Sequence, residues 1–269
     1  MASSSETASS SHGGAVSHNG SAFVVRETRM PGILPLYTNP AWQARFPWLF
    51  QATTGRGSGE EPFDLSFFGK SVAASVLSRW SAIREATRFG RVVHARQVHG
   101  DRILEHQQAA RGIHVLDDAD GHITQTTDLM LAVSIADCVP VFLVHGGSRT
   151  IALLHAGWRG AAAGILERGI EALGGGDSEM HCHFGPAICG KCYEVGPEVF
   201  KALGQPEPAR NQPIDLRAIL RDRAIAAGVP SGHVTISGWC TRCDDAFFSH
   251  RGGMRERQMA LLGIRPPRD

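Results

Sequence analysis

The sequence predicts a mixed α/β fold of stacked sheets covered by helices, and three observations carry that reading. Residues 128–164 hold three apolar runs, Leu129–Ile135, Val139–Val144 and Ile151–Leu154, each with the length and β-branched content of a buried strand. Stretches with helical spacing of apolar residues lie on both sides of them, at Ser71–Glu85, Ala161–Leu173 and Leu216–Ala227. The signatures of the familiar nucleotide-binding and hydrolase α/β folds are missing: there is no GxGxxG, no GxxxxGK[ST] and no Gly-x-Ser-x-Gly elbow.

The elements follow in order. Met1–Ser21 is mostly Ser, Gly, Ala and His and buries too little apolar surface to offset its ordering entropy, so it reads as a disordered tail on a single domain over residues 22–269. Ala22–Val25 is a short strand, Gly32–Pro47 irregular, and Trp48–Thr54 a strand running into the turn Gly55–Gly59. The stretch Ser71–Glu85 has Val72, Val76, Leu77, Trp80 and Ile83 at helical spacing, with Arg79 beside Trp80. Val92–Val98 is a strand that runs into His99-Gly100. Ile103–Leu104 and His114–Leu116 are short strands, and Ala119-Asp120-Gly121 is a turn. Pro140 opens the second central run, where its missing N–H does least harm. The helix Ala161–Leu173 ends at three glycines. His181–Phe184 is a strand, Pro197–Leu203 a short helix, Gln205–Pro213 a loop, Leu216–Ala227 a helix, and Val234–Ser237 the last strand. The His181-Cys182-His183 triplet resembles a blue-copper motif, but the further His-x-His pairs of such sites are missing, so it reads as ordinary strand.

Composition excludes several classes. A net charge of +1 leaves no nucleic-acid or anionic-membrane footprint. No apolar run reaches the length of a membrane span. The N-terminus lacks the basic and apolar regions of a secretory signal. Six cysteines in 269 residues do not make a disulfide scaffold, so a cytoplasmic protein with reduced thiols is expected.

The chemistry-bearing residues sit at strand ends. His99, Cys138 and His155 each stand where an apolar run stops beside glycine or a turn, and a thiolate with imidazoles on rigid strands is a candidate metal site. A buried cysteine and ordinary hydrogen-bonded histidines are the competing reading. Two CxxC pairs, Cys189/Cys192 and Cys240/Cys243, resemble zinc knuckles and together supply four thiolates for a structural zinc; free thiols are the alternative.

Five ordered motifs now stand out: Gln97–Gly100, Ala136–Val141, His155–Gly160, Gly185–Ile188 with Cys192–Gly196, and Cys240-Thr241 with Phe247–Arg251. Together they resemble the laccase-domain (YfiH-like) family, described both as multicopper polyphenol oxidase and as purine nucleoside phosphorylase. The resemblance runs from about Thr53 to the C-terminus. It implies a single-domain α/β/β/α sandwich of mixed sheets flanked by helices, and zinc on His99, Cys138 and His155. It also implies phosphorolysis of adenosine, inosine and methylthioadenosine, adenosine deamination, and a link to peptidoglycan-precursor editing. Arg79 best matches an arginine expected near the ligand. Two places depart from the family pattern: the Asn expected ahead of that helix is absent from Phe63–Gly69, and no second basic residue follows His250-Arg251 directly.

Three zinc ligands leave an open coordination position, the catalytic pattern. Asp137 and His250 are candidate proton carriers, and Arg79 and Arg251 candidate phosphate holders. Arg159 is expected to pack under Trp158 or to meet a carboxylate. The rivals are a copper-dependent phenol oxidase, a metal-free hydrolase with Cys138 as nucleophile and His155 as base, and a non-catalytic interaction module. The expected partners are purine nucleosides and phosphate, with neither nucleic acid nor membrane, and the expected state is a monomer or small homo-oligomer.

Overall fold

The computed structural model describes residues 23–59 and 61–267, so the tail expected over Met1–Ser21 lies outside the described residues. The first half of the chain runs β1 (Val24–Val25), β2 (Thr28–Arg29), β3 (Leu36–Thr38), α1 (Pro40–Arg45), β4 (Leu49–Thr54), α2 (Ala73–Thr87), β5 (Arg91–Ala95), β6 (Ile103–His106), β7 (Gly112–Leu116) and β8 (Gly121–Thr124). The central strands are β9 (Leu129–Ile135), β10 (Val139–His145) and β11 (Thr150–Ala156). Then follow α3 (Trp158–Ala162), α4 (Ile165–Ala172), β12 (Met180–Phe184), β13 (Glu194–Val195), α5 (Pro197–Ala202), β14 (Gln212–Pro213), α6 (Leu216–Ala226), β15 (Val234–Ser237) and β16 (Gln258–Ile264).

Two seven-stranded mixed sheets stack face to face. One has the order β1-β15-β12-β10-β11-β8-β6, the other β2-β3-β4-β16-β9-β5-β7. Alternation along the strands creates three apolar layers. Leu129, Leu131, Val133 and Ile135 of β9 meet Phe142, Val144, Ile151 and Leu153 of the facing sheet. The opposite residues of β9, Met130 and Ala132, pack under Val76, Trp80 and Ile83 of α2. On the far side α4 and α6 cover β10–β12, with Leu166, Ile170 and Leu220 against Val141, Leu143 and Leu154. Both faces of each sheet are therefore buried, which is why the central strands read as continuous apolar runs. This is the expected α/β/β/α sandwich.

Four expectations are corrected. The helix read over Ala161–Leu173 is two helices, because Gly164 takes φ 88° and breaks the ladder between α3 and α4. Val234–Ser237 is not the last strand: β16 is fully buried in the middle of its sheet, between β4 and β9. A Cβ on its Gly263 would stand 2.6 Å from the Phe89 ring, so the interruption in its apolar run is a packing requirement. Gly121 begins β8 rather than closing a turn. Pro40–Arg45, within the stretch read as irregular, is a helix capped by the Asn39 side chain.

Candidate metal centre

The chain changes sheets between β9 and β10, and the residues of that crossover are Ala136, Asp137 and Cys138. His99 follows β5 of one sheet, and His155 stands one residue from the end of β11 in the other. The ligand atoms of His99, Cys138 and His155 all lie within 4.8 Å of one another. The site is thus built where the two sheets meet, from backbone that packing on both sides holds rigid.

A single buried carboxylate orders it. Asp120 Oδ1 accepts from His99 N at 3.0 Å and stands 2.8 Å from His155 Nδ1, while Oδ2 accepts from Val98 N at 3.1 Å and Gly100 N at 2.8 Å. Asp120 is 0% exposed. Burial pushes its carboxyl up, but the His155 contact and the Gly100 and Val98 amides outweigh that and hold it below the usual carboxylate range. With Nδ1 engaged, His155 presents Nε2 to the cluster, the carboxylate–histidine arrangement common behind metal ligands. Sequence reading placed Asp120 only in a turn. Its signal was the Ala-Asp-Gly triplet, which nothing local connects to His99 or His155.

Two non-glycine residues here adopt left-handed backbone, His99 at φ 61° and Asp137 at φ 85°. Such conformations cost about 1–3 kcal/mol each and persist where surrounding contacts enforce them. Gly157 leaves room for the cluster: a Cβ there would lie 3.0 Å from the His99 ring and 3.1 Å from Cys138 Sγ and would press both side chains aside. Burial alone would raise the Cys138 thiol, yet His155 and His99 bring it down to about 6. Burial would likewise lower His155, but Cys138 and Asp120 raise it to about 9. A thiolate beside two imidazoles is a borderline-soft donor set suited to zinc or copper, so the residues present fit a metal.

The cluster opens into a cavity of about 470 Å³, within the range of small-molecule sites. Arg96, Gln97, His250, Arg255, Arg257 and Phe68 line it with the three ligands. Gln97 is fixed by bonds to Ser134 N and O, at 2.7 and 2.8 Å, which tie the end of β5 to β9. A larger cleft of about 820 Å³ runs beside β6 and β8, away from this cluster. Convergent donors, not volume, choose the site.

Of the expected residues, the structure gathers His99, Cys138, His155 and His250. Arg79, Asp137 and Arg251 do not line the cavity. Arg79 donates to the Asp64 carbonyl at 3.1 Å and pairs with Glu61 at 2.8 Å. Asp137 accepts from Thr241 Oγ1 and from Arg251 N, both at 2.6 Å, so each of its oxygens is engaged. The Arg251 guanidinium donates to the Glu194 carbonyl at 2.8 Å and lies over the Tyr193 ring. Arg159 does lie on Trp158, 4.3 Å from the ring centroid. The cations that reach the cavity, Arg96, Arg255 and Arg257, escaped sequence reading because they belong to no motif.

Residues 50–265 match the family described as multi-copper polyphenol oxidoreductase laccase. The chain belongs to this laccase-domain family. Among its relatives, the purine nucleoside phosphorylase YlmD of Geobacillus stearothermophilus is 35% identical over 215 residues, covering 70% of this chain and 76% of that protein. The adenosine deaminase RL5, from an unknown prokaryotic organism, is 33% identical over 60% of this chain and 69% of its own. The crystal structure of Geobacillus stearothermophilus YlmD superposes with TM-score 0.82 at 27% identity, covering 90% of this chain and 100% of that one. The Bacillus licheniformis YfiH structure shares the fold, with TM-score 0.80 over 88% of this chain and 98% of its own, at 24% identity. Like those relatives, this laccase-domain chain has two large mixed sheets with few helices, and among its described residues no helix is long and apolar enough to cross a membrane.

Proposed function

We propose that this chain is a metal-dependent purine nucleoside phosphorylase that also deaminates adenosine. The observation that carries it is the three-ligand His99–Cys138–His155 cluster on the wall of a cavity lined by three arginines. Relatives named as phosphorylases and a deaminase support the same substrates. Zinc is the expected metal, and held by three ligands it supplies Lewis-acid chemistry near neutral pH. The chain's own residues do the rest. Arg255 takes the phosphate dianion through charge-assisted N–H donors, while Arg96, paired with Asp118 at 2.6 Å, and Arg257, bonded to the Arg255 and Glu256 carbonyls at 2.9 Å, add positive charge to the same wall, the role expected of Arg79 and Arg251. Phe68, 55% exposed at the cavity edge, offers its face to the purine. His250 gives a proton to purine N7 as the glycosidic bond breaks, so the base leaves neutral and ribose 1-phosphate forms. Arg79, Asp137 and Arg251 keep the surrounding loops in place.

The test is turnover of adenosine, inosine and methylthioadenosine by zinc-replete protein with and without phosphate. Phosphate-dependent adenine release with slower inosine formation is expected. Oxidation of phenols by copper-loaded protein, with no nucleoside turnover, would hand the site to the oxidase reading. That reading is disfavoured because the described residues hold just one His/Cys cluster and one all-cysteine cluster, too few for a multicopper centre. One observation favours a second reading: Cys138 hydrogen-bonds His155, whose Nδ1 is held by Asp120 at 2.8 Å, and a thiol, an imidazole and a carboxylate in that order can also act as a thiolate–imidazolium nucleophile. A peptidoglycan-precursor hydrolase of this kind would stay active after chelation and lose activity on alkylation of Cys138.

A further inference from the structure

The two CxxC pairs meet. Cys189 and Cys192 precede β13, Cys240 and Cys243 follow β15, and their four sulfurs all lie within 4.8 Å of one another. Backbone contacts bring them together. Ala187 and Cys240 form an isolated parallel bridge, and Thr241 N donates to Ala187 O at 3.1 Å. Cys192 N and Tyr193 N both turn back to Cys189 O, at 3.0 and 3.1 Å, which makes the tight knuckle of a CxxC ligand pair. Cys189 N donates to Cys240 Sγ at 3.2 Å, so backbone N–H groups already point at sulfur. Gly190 is forced by this packing, since a Cβ there would stand 2.7 Å from Asp215 Cβ at the start of α6.

From this geometry we infer a second metal site: Cys189, Cys192, Cys240 and Cys243 bind one zinc ion as a closed tetrathiolate clamp that fixes the loop of Cys138. Zn–S bonds near 2.3 Å in a tetrahedron set sulfur–sulfur separations of about 3.8 Å, inside the spacing already present. Four protein ligands leave no open position, so the ion is structural. Lys191 and Arg242, the cations inside the two CxxC pairs, place positive charge in the same two loops, where Arg242 donates to the Arg251 carbonyl at 2.7 Å.

The clamp reaches the other site through two residues that flank its ligands. Ile188, just before Cys189, donates N–H to Asp137 O at 3.0 Å. Thr241, just after Cys240, donates its hydroxyl to Asp137 Oδ1 at 2.6 Å. Asp137 holds the left-handed backbone that aims the next residue, Cys138, at His99 and His155. A loosened clamp releases that backbone, and Cys138 with it.

Metal analysis of the full chain, purified anaerobically without added metal, tests this. The wild type should carry about two zinc ions, and Cys138→Ser about one. Because Cys138→Ser leaves the clamp untouched, the result does not depend on knuckle variants folding. Its cobalt-substituted form should show the sulfur-to-metal charge-transfer spectrum of a tetrathiolate. In native Cys138→Ser protein the four clamp thiols should resist alkylation until a chelator is added. Thr241→Val, which spares every thiol, should keep the clamp ion yet weaken zinc binding at the other site by about tenfold or more. The inference is overturned if Cys138→Ser retains no metal, or if the four thiols alkylate freely. It is also overturned if Cys192 and Cys243, whose sulfurs lie 3.3 Å apart, are found as a disulfide in place of a metal. Unchanged affinity in Thr241→Val would remove the coupling.

Discussion

The two thiol-bearing clusters of this protein differ in the way expected of one reactive and one structural metal site. His99, from the loop beyond β5, Cys138, from the crossover before β10, and His155, near the end of β11, leave one side open to a cavity and are braced by one buried carboxylate. The cysteine cluster comes from two short local motifs, closes on itself, and is braced by backbone N–H groups and a knuckle turn. An open site needs rigid, widely anchored ligands because nothing else holds the ion while substrate comes and goes. A closed site can be assembled from flexible loops, because the ion itself organises them.

The contrast breaks most sharply at Cys138. Cys138→Ser, and equally His155→Ala, should lower phosphorolysis and deamination together by roughly 10³-fold, the scale of losing a principal stabiliser of developing charge. A variant that keeps more than a tenth of wild-type kcat/KM would show that the open cluster is not the reactive one.

Cys192→Ser combined with Cys243→Ser should act on the fold instead. A loss of about 3 kcal/mol would lower Tm by about 5 °C in a chain of this size. Thermal melts with and without chelator measure it, and coincident curves for variant and parent would make the two clusters alike in being dispensable to folding.

Asp120→Asn keeps the shape but withdraws the charge that His155 and three amides converge on. Metal affinity at the open site should fall by about 10–100-fold while the cysteine cluster keeps its ion. Competitive titration against a chelating dye reads both. Arg255→Ala should raise KM for phosphate by about tenfold and leave deamination nearly unchanged, because only phosphorolysis must hold a dianion. Equal effects on both reactions would move Arg255 from phosphate to nucleoside.

The smallest effect sharpens the role of the surrounding core. His94 is 1% exposed; burial lowers its pKa to about 4, against the Ala132 carbonyl, which raises it. The unfolded chain therefore binds a proton between about pH 6.5 and 4 that the folded chain refuses. The stability tied to His94 is complete above the unfolded value and is lost as pH falls toward 4. Acid melts of His94→Phe should show a shallower loss of Tm across that window than the parent. Parallel slopes would place the acid sensitivity elsewhere.

The sequence alone determined the periodic and the local. Leu129–Ile135, Val139–Val144 and Ile151–Leu154 are continuous apolar runs because both faces of a middle sheet are covered, and that burial is written directly into composition. The CxxC pairs, Cys138 and the two histidines are likewise visible as candidate ligands by residue type, although the strand expected over Val92–Val98 stops at Ala95 and leaves His99 in the loop beyond it. Tertiary structure decided whatever depends on distant approach. Asp120 becomes the brace of the open site only when β5, β8 and β11 converge on it. Arg96, Arg255 and Arg257 become cavity cations, and Arg79 and Arg251 do not, because a guanidinium's target depends on which loops fold over it. β16 was hidden by Gly263, whose missing side chain makes room for Phe89, a residue far away in sequence. Local physics selects the elements and the ligand types, and long-range packing selects which side chains share a site.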